Sequence, residues 1–249
     1  MRRLPLVVLL IAAGAVSLWA DEIRVLSVGS LQRGLAPIAE KYNAQTGHEV
    51  TIEFGTTPVV TARLEELGDG GERFDVVIAT REVLEAAAAR EQVDLTTTRV
   101  VGRVGIGMGV RAGVEVPEIR TVDDLKAFLL AADSVVYNRG SSGVKSQSMI
   151  ESLGITRQIA EGTTQYANGG QVITHVLEGE GIDIGLAPLT EIRFNAPRGL
   201  GLVALPDAVQ NYTSYNAAVT TAAVDAAADF LRHLSTPEVR AALAATGVD

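Results

Sequence analysis

Short apolar runs rich in β-branched residues recur along this chain, and each is followed by a polar, glycine-containing loop and then by an amphipathic segment. Residues 23–28, 50–54 and 74–79 are the first three runs, and the segment 31–46 places its apolar side chains at helical spacing. Alternating strands and helices favour parallel strands, because a parallel connection needs a crossover that is usually a helix. The pattern predicts a doubly wound α/β fold with a mixed, mostly parallel sheet flanked by helices.

The same alternation starts again after residue 100. A glycine-spaced apolar run at 100–110 is followed by predicted strands at 134–137 and 182–187, with helices between them. The chain has 249 residues, of which 47% are hydrophobic. This is enough for one large α/β domain or for two lobes of roughly 100 residues each. Length and composition leave both arrangements open.

Residues 1–20 have the pattern of a secretory signal peptide. Arg2 and Arg3 are followed by an apolar run at 4–16 and by small residues that offer cleavage at Ser17 or Ala20. An N-terminal membrane anchor is the alternative, but the run is shorter than the ~20 residues that a membrane-spanning helix needs. We therefore predict export, removal of the signal peptide and a soluble periplasmic protein.

The charge of the chain and the residues that it lacks exclude several classes of function. A formal net charge of -9 makes nucleic acid a poor partner, because nonspecific affinity for it comes from Lys and Arg at the phosphates. The sequence has no cysteine, which excludes thiolate metal sites, disulfides and a catalytic cysteine. Its histidines, His48, His175 and His233, share no metal-ligand spacing. We predict no cofactor, no metal, no catalytic residue and no enzymatic activity.

Four short segments of glycine and small polar residues stand immediately before predicted helices. They are residues 29–30, 55–57, 140–143 and 168–170. The first N–H groups of a helix lack partners within the helix and carry partial positive charge, so such loops can bind an anion. The alternative is that these residues only cap helices, as Thr57 would before Pro58. Two segments fall in each half of the chain, and a cleft between two α/β lobes would bring them together.

Arg139 stands next to the third of these segments. A guanidinium group binds a carboxylate or an oxyanion through two parallel hydrogen bonds, so Arg139 is a candidate ligand-binding residue. The alternative is a solvated charge on a loop.

Beyond the signal peptide, the chain resembles the molybdate-binding branch of the periplasmic binding proteins over nearly all of its length. The motifs that carry the resemblance are V-G-S-L at 28–31, F-G-T-T at 54–57, A-R-L at 62–64, D-V-V-I-A at 75–79, the segment 103–110, S-G at 142–143 and T-P-E-V at 236–239. The resemblance implies the type II periplasmic binding protein fold, in which two lobes are joined by two hinge crossovers. We expect lobe one at 22–104 and 207–249 and lobe two at 105–206.

The resemblance also implies a set of ligand-binding residues. They are Ser30 and Thr57 in lobe one and Ser142 and Gly170 in lobe two, with Gly170 donating from its backbone. Two positions depart from the family. A tyrosine of the family falls on Pro188, which has no donor, and Arg139 adds a cation to a site that the family builds mainly from neutral donors.

We therefore predict a solute-binding protein that captures a small oxyanion similar to molybdate or tungstate between its lobes and closes by hinge motion. A small organic carboxylate is the alternative ligand, which the two departures favour. The alternative from another class is a periplasmic enzyme on the same scaffold. The resemblance further implies delivery to the membrane permease of an ABC importer, by a protein that we expect to be a monomer.

Overall fold

The computed structural model describes residues 20–67 and 72–249. Residues 1–19 of the predicted signal peptide and the turn predicted at 69–71 lie outside the described residues. In the part of the chain that is described, no helix has both the length and the apolar character needed to cross a membrane.

Strands and helices alternate through the described residues. The strands are β1 (Glu22–Val28), β2 (Glu49–Gly55), β3 (Val76–Ala79), β4 (Val93–Arg111), β5 (Ser134–Asn138), β6 (Thr163–Tyr166), β7 (Asp183–Pro188), β8 (Leu200–Val203) and β9 (Tyr212–Thr220). The helices are α1 (Gln32–Thr46), α2 (Thr57–Glu66), α3 (Arg81–Ala88), α4 (Val122–Ala131), α5 (Ser141–Ser152), α6 (Gly169–Glu178), α7 (Leu189–Asn195), α8 (Ala226–Leu234) and α9 (Pro237–Ala245).

The strands are hydrogen-bonded in the order β2-β1-β3-β9-β4-β7-β5-β6, and β8 pairs with β4. β1 lies between β2 and β3 and is parallel to both, while β5 lies between β6 and β7 and is parallel to both. The strands β4 and β9 are antiparallel to their neighbours. The predicted fold class is confirmed: two α/β lobes, each with a mixed sheet flanked by helices.

Two strands carry the chain between the lobes. β4 pairs with β9 from Val93 to Gly105 and with β7 from Ile106 to Val110, so its two halves belong to different lobes. β9 returns the chain and pairs with both β3 and β4. These strands are the two crossovers.

Buried apolar side chains form separate clusters on the two sides of these crossovers. One cluster draws on residues 23–104 and 215–248, and two others draw on residues 106–205. Burial of such side chains is the main favourable term in folding, so each lobe has a core of its own. The exact lobe boundaries stay a prediction: lobe one is residues 22–104 and 207–249, and lobe two is residues 105–206.

A buried carboxylate joins three segments of lobe one at Asp75, which has no exposed surface. It accepts hydrogen bonds from the backbone N–H groups of Arg24, at 2.8 Å, and Val224, at 3.0 Å. Arg73 Nε lies 3.3 Å from Asp75 Oδ1, the oxygen that accepts from Val224. A buried charge is tolerated when its oxygens are paired in this way, so Asp75 has a structural role.

The structure differs from the sequence predictions at a few elements. α2 begins one position early, so Thr56 is its N-cap residue and Thr57 lies in its first turn. β4 begins at Val93 rather than at 100. The sequence does not predict β6, β8 or α7, because elements of 4, 4 and 7 residues are too short to show a periodic pattern.

Candidate ligand-binding cleft

The loops that follow β1, β2 and β5 meet at a small cavity between the lobes, which we call the first cavity. The carboxyl ends of parallel strands lie at the same edge of a sheet, so the loops after them collect there. The cavity has a volume of about 50 Å³. Its hydroxyl-bearing side chains are Ser30, Thr56 and Thr57 from lobe one, Ser141 and Ser142 from lobe two, and Tyr215 from β9.

The Tyr215 side chain lies at the centre of these hydroxyl groups. It is only 2% exposed. Its oxygen accepts a hydrogen bond from Ser30 Oγ at 2.9 Å and lies 2.9 Å from Ser141 Oγ, with which it forms a second hydrogen bond. Because Ser30 is in lobe one and Ser141 is in lobe two, Tyr215 connects the two walls of the cleft.

Further contacts hold the walls together. Thr190 Oγ1, at the start of α7, donates a hydrogen bond to the backbone oxygen of Ser30 at 2.8 Å. Gly140 lies so close to lobe one that a Cβ atom at this position would be 3.7 Å from Thr56 Cβ. The loops of the two lobes are therefore in direct contact in this structure.

The turn between β5 and α5 is held by Asn138. Its Nδ2 donates to Ser142 Oγ at 3.0 Å, and its Oδ1 accepts from the backbone N–H of Gly140 at 2.7 Å. A Cβ atom at Gly143 would lie 1.5 Å from the Asn138 backbone oxygen, so only glycine fits there. Ser142 Oγ accepts from Asn138 and keeps its own proton, which it can donate to a ligand.

The first residues of two helices line the first cavity. α2 begins at Thr57 and α5 at Ser141, and neither has a side chain capping it. α6, in contrast, is capped by Asn168, whose Oδ1 accepts from the Gln171 N–H at 3.0 Å. The first N–H groups of α2 and α5 are thus available to an anion, which also gains from the partial positive charge of the helix ends.

A second cavity adjoins the first and shares Gly29, Gly55 and Thr56 with it. It is larger, with a volume of about 420 Å³. Two charged residues line it from opposite lobes: Arg33 in the first turn of α1, and Glu191 in the first turn of α7. The two cavities together form one cleft that is neutral and hydroxyl-rich at one end and charged at the other.

The guanidinium group of Arg33 packs on lobe two. Its Cζ atom lies 3.4 Å from the centre of the Phe194 ring, a cation–π contact across the cleft. Its Nε is buried and has no hydrogen-bond partner among the residues that the structure describes. A buried donor without a partner is uncommon in proteins, and it leaves Arg33 with hydrogen-bonding capacity that the described chain does not use.

Burial raises the pKa of the Glu191 carboxyl above its ordinary value, and the positive charge of Arg33 partly opposes this. In residues 20–67 and 72–249, Arg33 and Glu191 do not form an ion pair with each other. The side chain of Glu191 is packed beside Gly169, where a Cβ atom would lie 3.4 Å from its Cγ. The cleft therefore presents a cation and a carboxyl group of raised pKa to the same space.

The predicted site residues fall into three groups. Ser30, Thr57 and Ser142 line the first cavity, and Gly170 lines the second. Arg139 lines neither: it is exposed, and its backbone N–H donates to the Tyr166 oxygen at 2.9 Å. Arg139 is therefore outside the cleft that the other predicted residues line.

Sequence reasoning missed Tyr215, Arg33 and Glu191. Pro188 lines the first cavity without a donor, as expected, but Tyr215 brings a phenol hydroxyl to the same cavity from a different strand. The signals were a tyrosine beginning a predicted strand and an arginine one helical turn after the first polar-glycine segment. Neither is specific enough to identify a site.

A polar cluster around His175 in lobe two lies apart from the cleft. Ser134 Oγ is 2.8 Å from His175 Nε2 and donates to Asp183 Oδ1 at 2.5 Å. In a Ser-His-Asp triad the carboxylate holds the other ring nitrogen, whereas here His175 Nδ1 bonds to the Tyr166 hydroxyl at 2.9 Å. The arrangement is that of a structural network that fastens α6 to β5 and β7.

A cleft lined by polar loops between two α/β lobes, joined by two crossovers, is typical of the periplasmic binding protein fold. Residues 23–249 match the family of bacterial extracellular solute-binding proteins, and the chain belongs to this family. A periplasmic molybdate-binding protein of Azotobacter vinelandii has a similar structure, with a TM-score of 0.76 and 17% identity over 91% of this chain and 98% of that one. The predicted resemblance to molybdate-binding proteins is confirmed.

Two further proteins are similar to this chain. PEB3, known from Campylobacter jejuni and solved with bound L-phospholactate, matches with a TM-score of 0.68 and 16% identity over 90% of this chain and 98% of that one. An aconitate isomerase of Pseudomonas sp. is 28% identical over 235 residues, which are 91% of this chain and 87% of the isomerase. The prediction of no enzymatic activity is wrong in the light of this relative, because a protein similar over nearly its whole length is named as an enzyme.

Proposed function

We propose that the protein captures a small organic anion with more than one carboxylate or oxyanion group in the cleft between its lobes. One such group would lie in the first cavity, and the remainder of the ligand would extend into the second. The observation that carries this proposal is the opening of a small, neutral, hydroxyl-rich cavity into a larger one that holds Arg33.

The first cavity suits an anionic group because of its donors. Thr57 and Ser142 supply hydroxyl protons, and the first turns of α2 and α5 supply backbone N–H groups. Ser30 lines the same cavity, but its hydroxyl group donates to Tyr215 in this structure. The chain as a whole has a net charge of -9, so an anion must be held by local geometry against the overall field. Directed hydrogen-bond donors provide that geometry.

The second cavity decides between an oxyanion and a larger ligand. Molybdate or tungstate would occupy the first cavity alone and would leave Arg33 and Glu191 without a role. A polycarboxylate would place a second group beside Arg33, where a guanidinium can pair with it through two hydrogen bonds. The names of two similar proteins fit this ligand class, since aconitate is a tricarboxylate and phospholactate carries a phosphate and a carboxylate.

The location and partner follow from the family. An extracellular solute-binding protein binds its ligand outside the cytoplasm, and we propose the periplasm for this chain because of the predicted signal peptide at 1–20. We propose that the lobes close on the ligand about β4 and β9 and that the loaded form docks on the permease of an ABC importer. Gly170 would then approach the part of the ligand held in the second cavity.

Thermal unfolding of the mature protein with a panel of anions tests the ligand class. The panel is cis-aconitate, trans-aconitate, L-phospholactate, sulfate and molybdate at equal ionic strength. A ligand at 100 times its Kd stabilises by about 2.7 kcal/mol, which shifts Tm by about 5–10 °C for a protein of this size. We expect such shifts with the carboxylates. A shift with molybdate and none with any carboxylate would contradict the proposal.

A matched pair of arginine variants locates the ligand. Arg33→Ala removes a charged hydrogen-bonding group worth about 1.5–3 kcal/mol, so calorimetry should show a Kd for the carboxylate that is roughly 10- to 150-fold higher. Arg139→Ala removes the same charge from a position outside both cavities and should leave the Kd unchanged. Equal effects of the two variants would argue against a ligand in the second cavity.

A further inference from the structure

We propose that Glu191 is the catalytic acid–base residue of this cleft, moving a proton between two carbon atoms of a carboxylate substrate that Arg33 holds in the second cavity. This inference rests on the proposed function and adds a reaction to it. Glu191 lies in the first turn of α7, a helix that the sequence pattern does not predict.

Glu191 lies where it can contact a ligand in the second cavity. It lines the second cavity opposite Arg33, so a ligand that pairs with the guanidinium group lies next to the carboxyl group. Among the residues that the structure describes, no side chain or backbone N–H donates a hydrogen bond to the Glu191 carboxyl oxygens; Asn195 bonds only to its backbone oxygen, at 2.8 Å. Both oxygens are thus available to a substrate, as a group that takes up and returns a proton must be.

The surroundings of Glu191 also suit a group that transfers a proton. Burial raises the pKa of its carboxyl group, which makes its ionised form a stronger base than an ordinary glutamate. Thr190 beside it is buried and donates a hydrogen bond to the Ser30 backbone, so the first turn of α7 is held against lobe one in this structure. Acid–base catalysis benefits from a shifted pKa and from a well-positioned backbone, and Glu191 has both in this structure.

Arg33 contributes to the same reaction. Removing a proton from a carbon next to a carboxylate spreads negative charge onto the carboxylate oxygens. A guanidinium group already held against Phe194 can stabilise this charge without reorganising, which lowers the barrier. The absence of a direct ion pair between Arg33 and Glu191 in the described chain leaves each group free for the substrate.

For an unsaturated tricarboxylate such as aconitate, the step balances without a co-reactant. The Glu191 carboxylate takes a proton from the methylene carbon, and the C–H electron pair becomes a new C=C bond to the central carbon. The former π pair forms a C–H bond at the other alkene carbon, which receives the proton from the Glu191 carboxylic acid. The product has the same atoms and the same oxidation state with its double bond moved, which interconverts the cis and trans isomers.

The test follows the proton in deuterated water. The mature protein is incubated separately with cis-aconitate and trans-aconitate, and proton NMR records both isomerisation and deuterium entering the ligand. We expect interconversion with wild-type protein. Glu191→Gln should lower the rate by at least about 100-fold, in line with the usual contribution of a general acid–base group, while calorimetry shows a Kd within about 5-fold of wild type.

Two further variants keep the result interpretable. Glu178→Gln makes the same change at an exposed residue of α6 and should retain the wild-type rate. Glu191→Asp keeps a carboxylate but withdraws it by one methylene, so it should give an intermediate rate with unchanged Kd. It also serves if Glu191→Gln fails to fold, which thermal unfolding would show.

The outcomes separate the two proposals. Binding of aconitate without isomerisation or deuterium uptake would overturn the role of Glu191 and leave the proposed function standing. An isomerisation rate that survives in Glu191→Gln would also overturn this role, since another group would then move the proton. No binding of any carboxylate by the wild-type protein would overturn both.

Discussion

Replacing Tyr215 by phenylalanine removes one oxygen atom from the centre of the cleft. That oxygen bonds to Ser30 Oγ and Ser141 Oγ, each at 2.9 Å, and the ring itself is buried. A neutral hydrogen bond contributes about 0.5–1.5 kcal/mol net, so the loss of two should cost about 1–3 kcal/mol in the state in which both are formed. Only the bond to Ser141 joins the two lobes, so this bond is the one that favours their contact.

The effect on binding can be estimated from that single bond between the lobes. A loss of about 0.5–1.5 kcal/mol in the closed arrangement weakens binding of a ligand that requires closure by roughly 2- to 10-fold. Calorimetric titration with the carboxylate that gives the largest thermal shift measures this change. Tyr212→Phe is the control, because Tyr212 lies on the same strand but at the surface, with its ring against the Arg103 guanidinium. Equal affinities of Tyr215→Phe and wild type would refute the role of this hydroxyl.

Three further predictions concern stability. Asp75→Ala leaves two backbone N–H groups without their acceptor, so the free energy of unfolding in urea should fall by about 2–6 kcal/mol. Gly143→Ala places a methyl group 1.5 Å from the Asn138 backbone oxygen and should lower Tm sharply, whereas Gly170→Ala, with Asn168 Oδ1 at 3.3 Å, should be tolerated; equal Tm values would contradict this. Because burial raises the pKa of Glu191 above its ordinary value of 4.5, folding favours the protonated form, so wild type should lose stability relative to Glu191→Gln as pH rises above about 4.5. Urea titrations at about pH 4 and about pH 7 should show that difference growing with pH, and a constant difference would count against a raised pKa.

The fold could be predicted from the sequence because its longer elements have clear periodicity. The apolar run at 23–28 and the helical spacing of 31–46 correspond to β1 and α1, and Gly47 ends that helix in the left-handed conformation that glycine favours, at φ 78°. The start of α4 was equally predictable, since Thr121 and Asp124 form a complete capping box. Local pattern and tertiary structure agree at these elements.

The candidate site was predictable only in loops with a distinctive local composition. Glycine and hydroxyl residues before a helix pointed to the loops at 29–30, 55–57 and 140–143, since this composition reflects a local requirement of the helix start. The family resemblance then selected Ser30, Thr57 and Ser142 within these loops. Tyr215 and Glu191 carry no local signal. Tyr215 reads as an ordinary strand residue, and Glu191 belongs to a helix of only 7 residues. Their place in the cleft depends on which strands cross between the lobes, and the local sequence pattern carries no information on this tertiary arrangement.

A crystal structure of the mature protein with bound trans-aconitate tests whether one ligand spans the first and second cavities. The proposal predicts one carboxylate in the first cavity, within hydrogen-bond distance of the hydroxyl groups of Thr57 and Ser142, and another paired with Arg33 in the second cavity. A ligand bound outside the cleft, or one whose carboxylates contact neither Arg33 nor these hydroxyl groups, would contradict it.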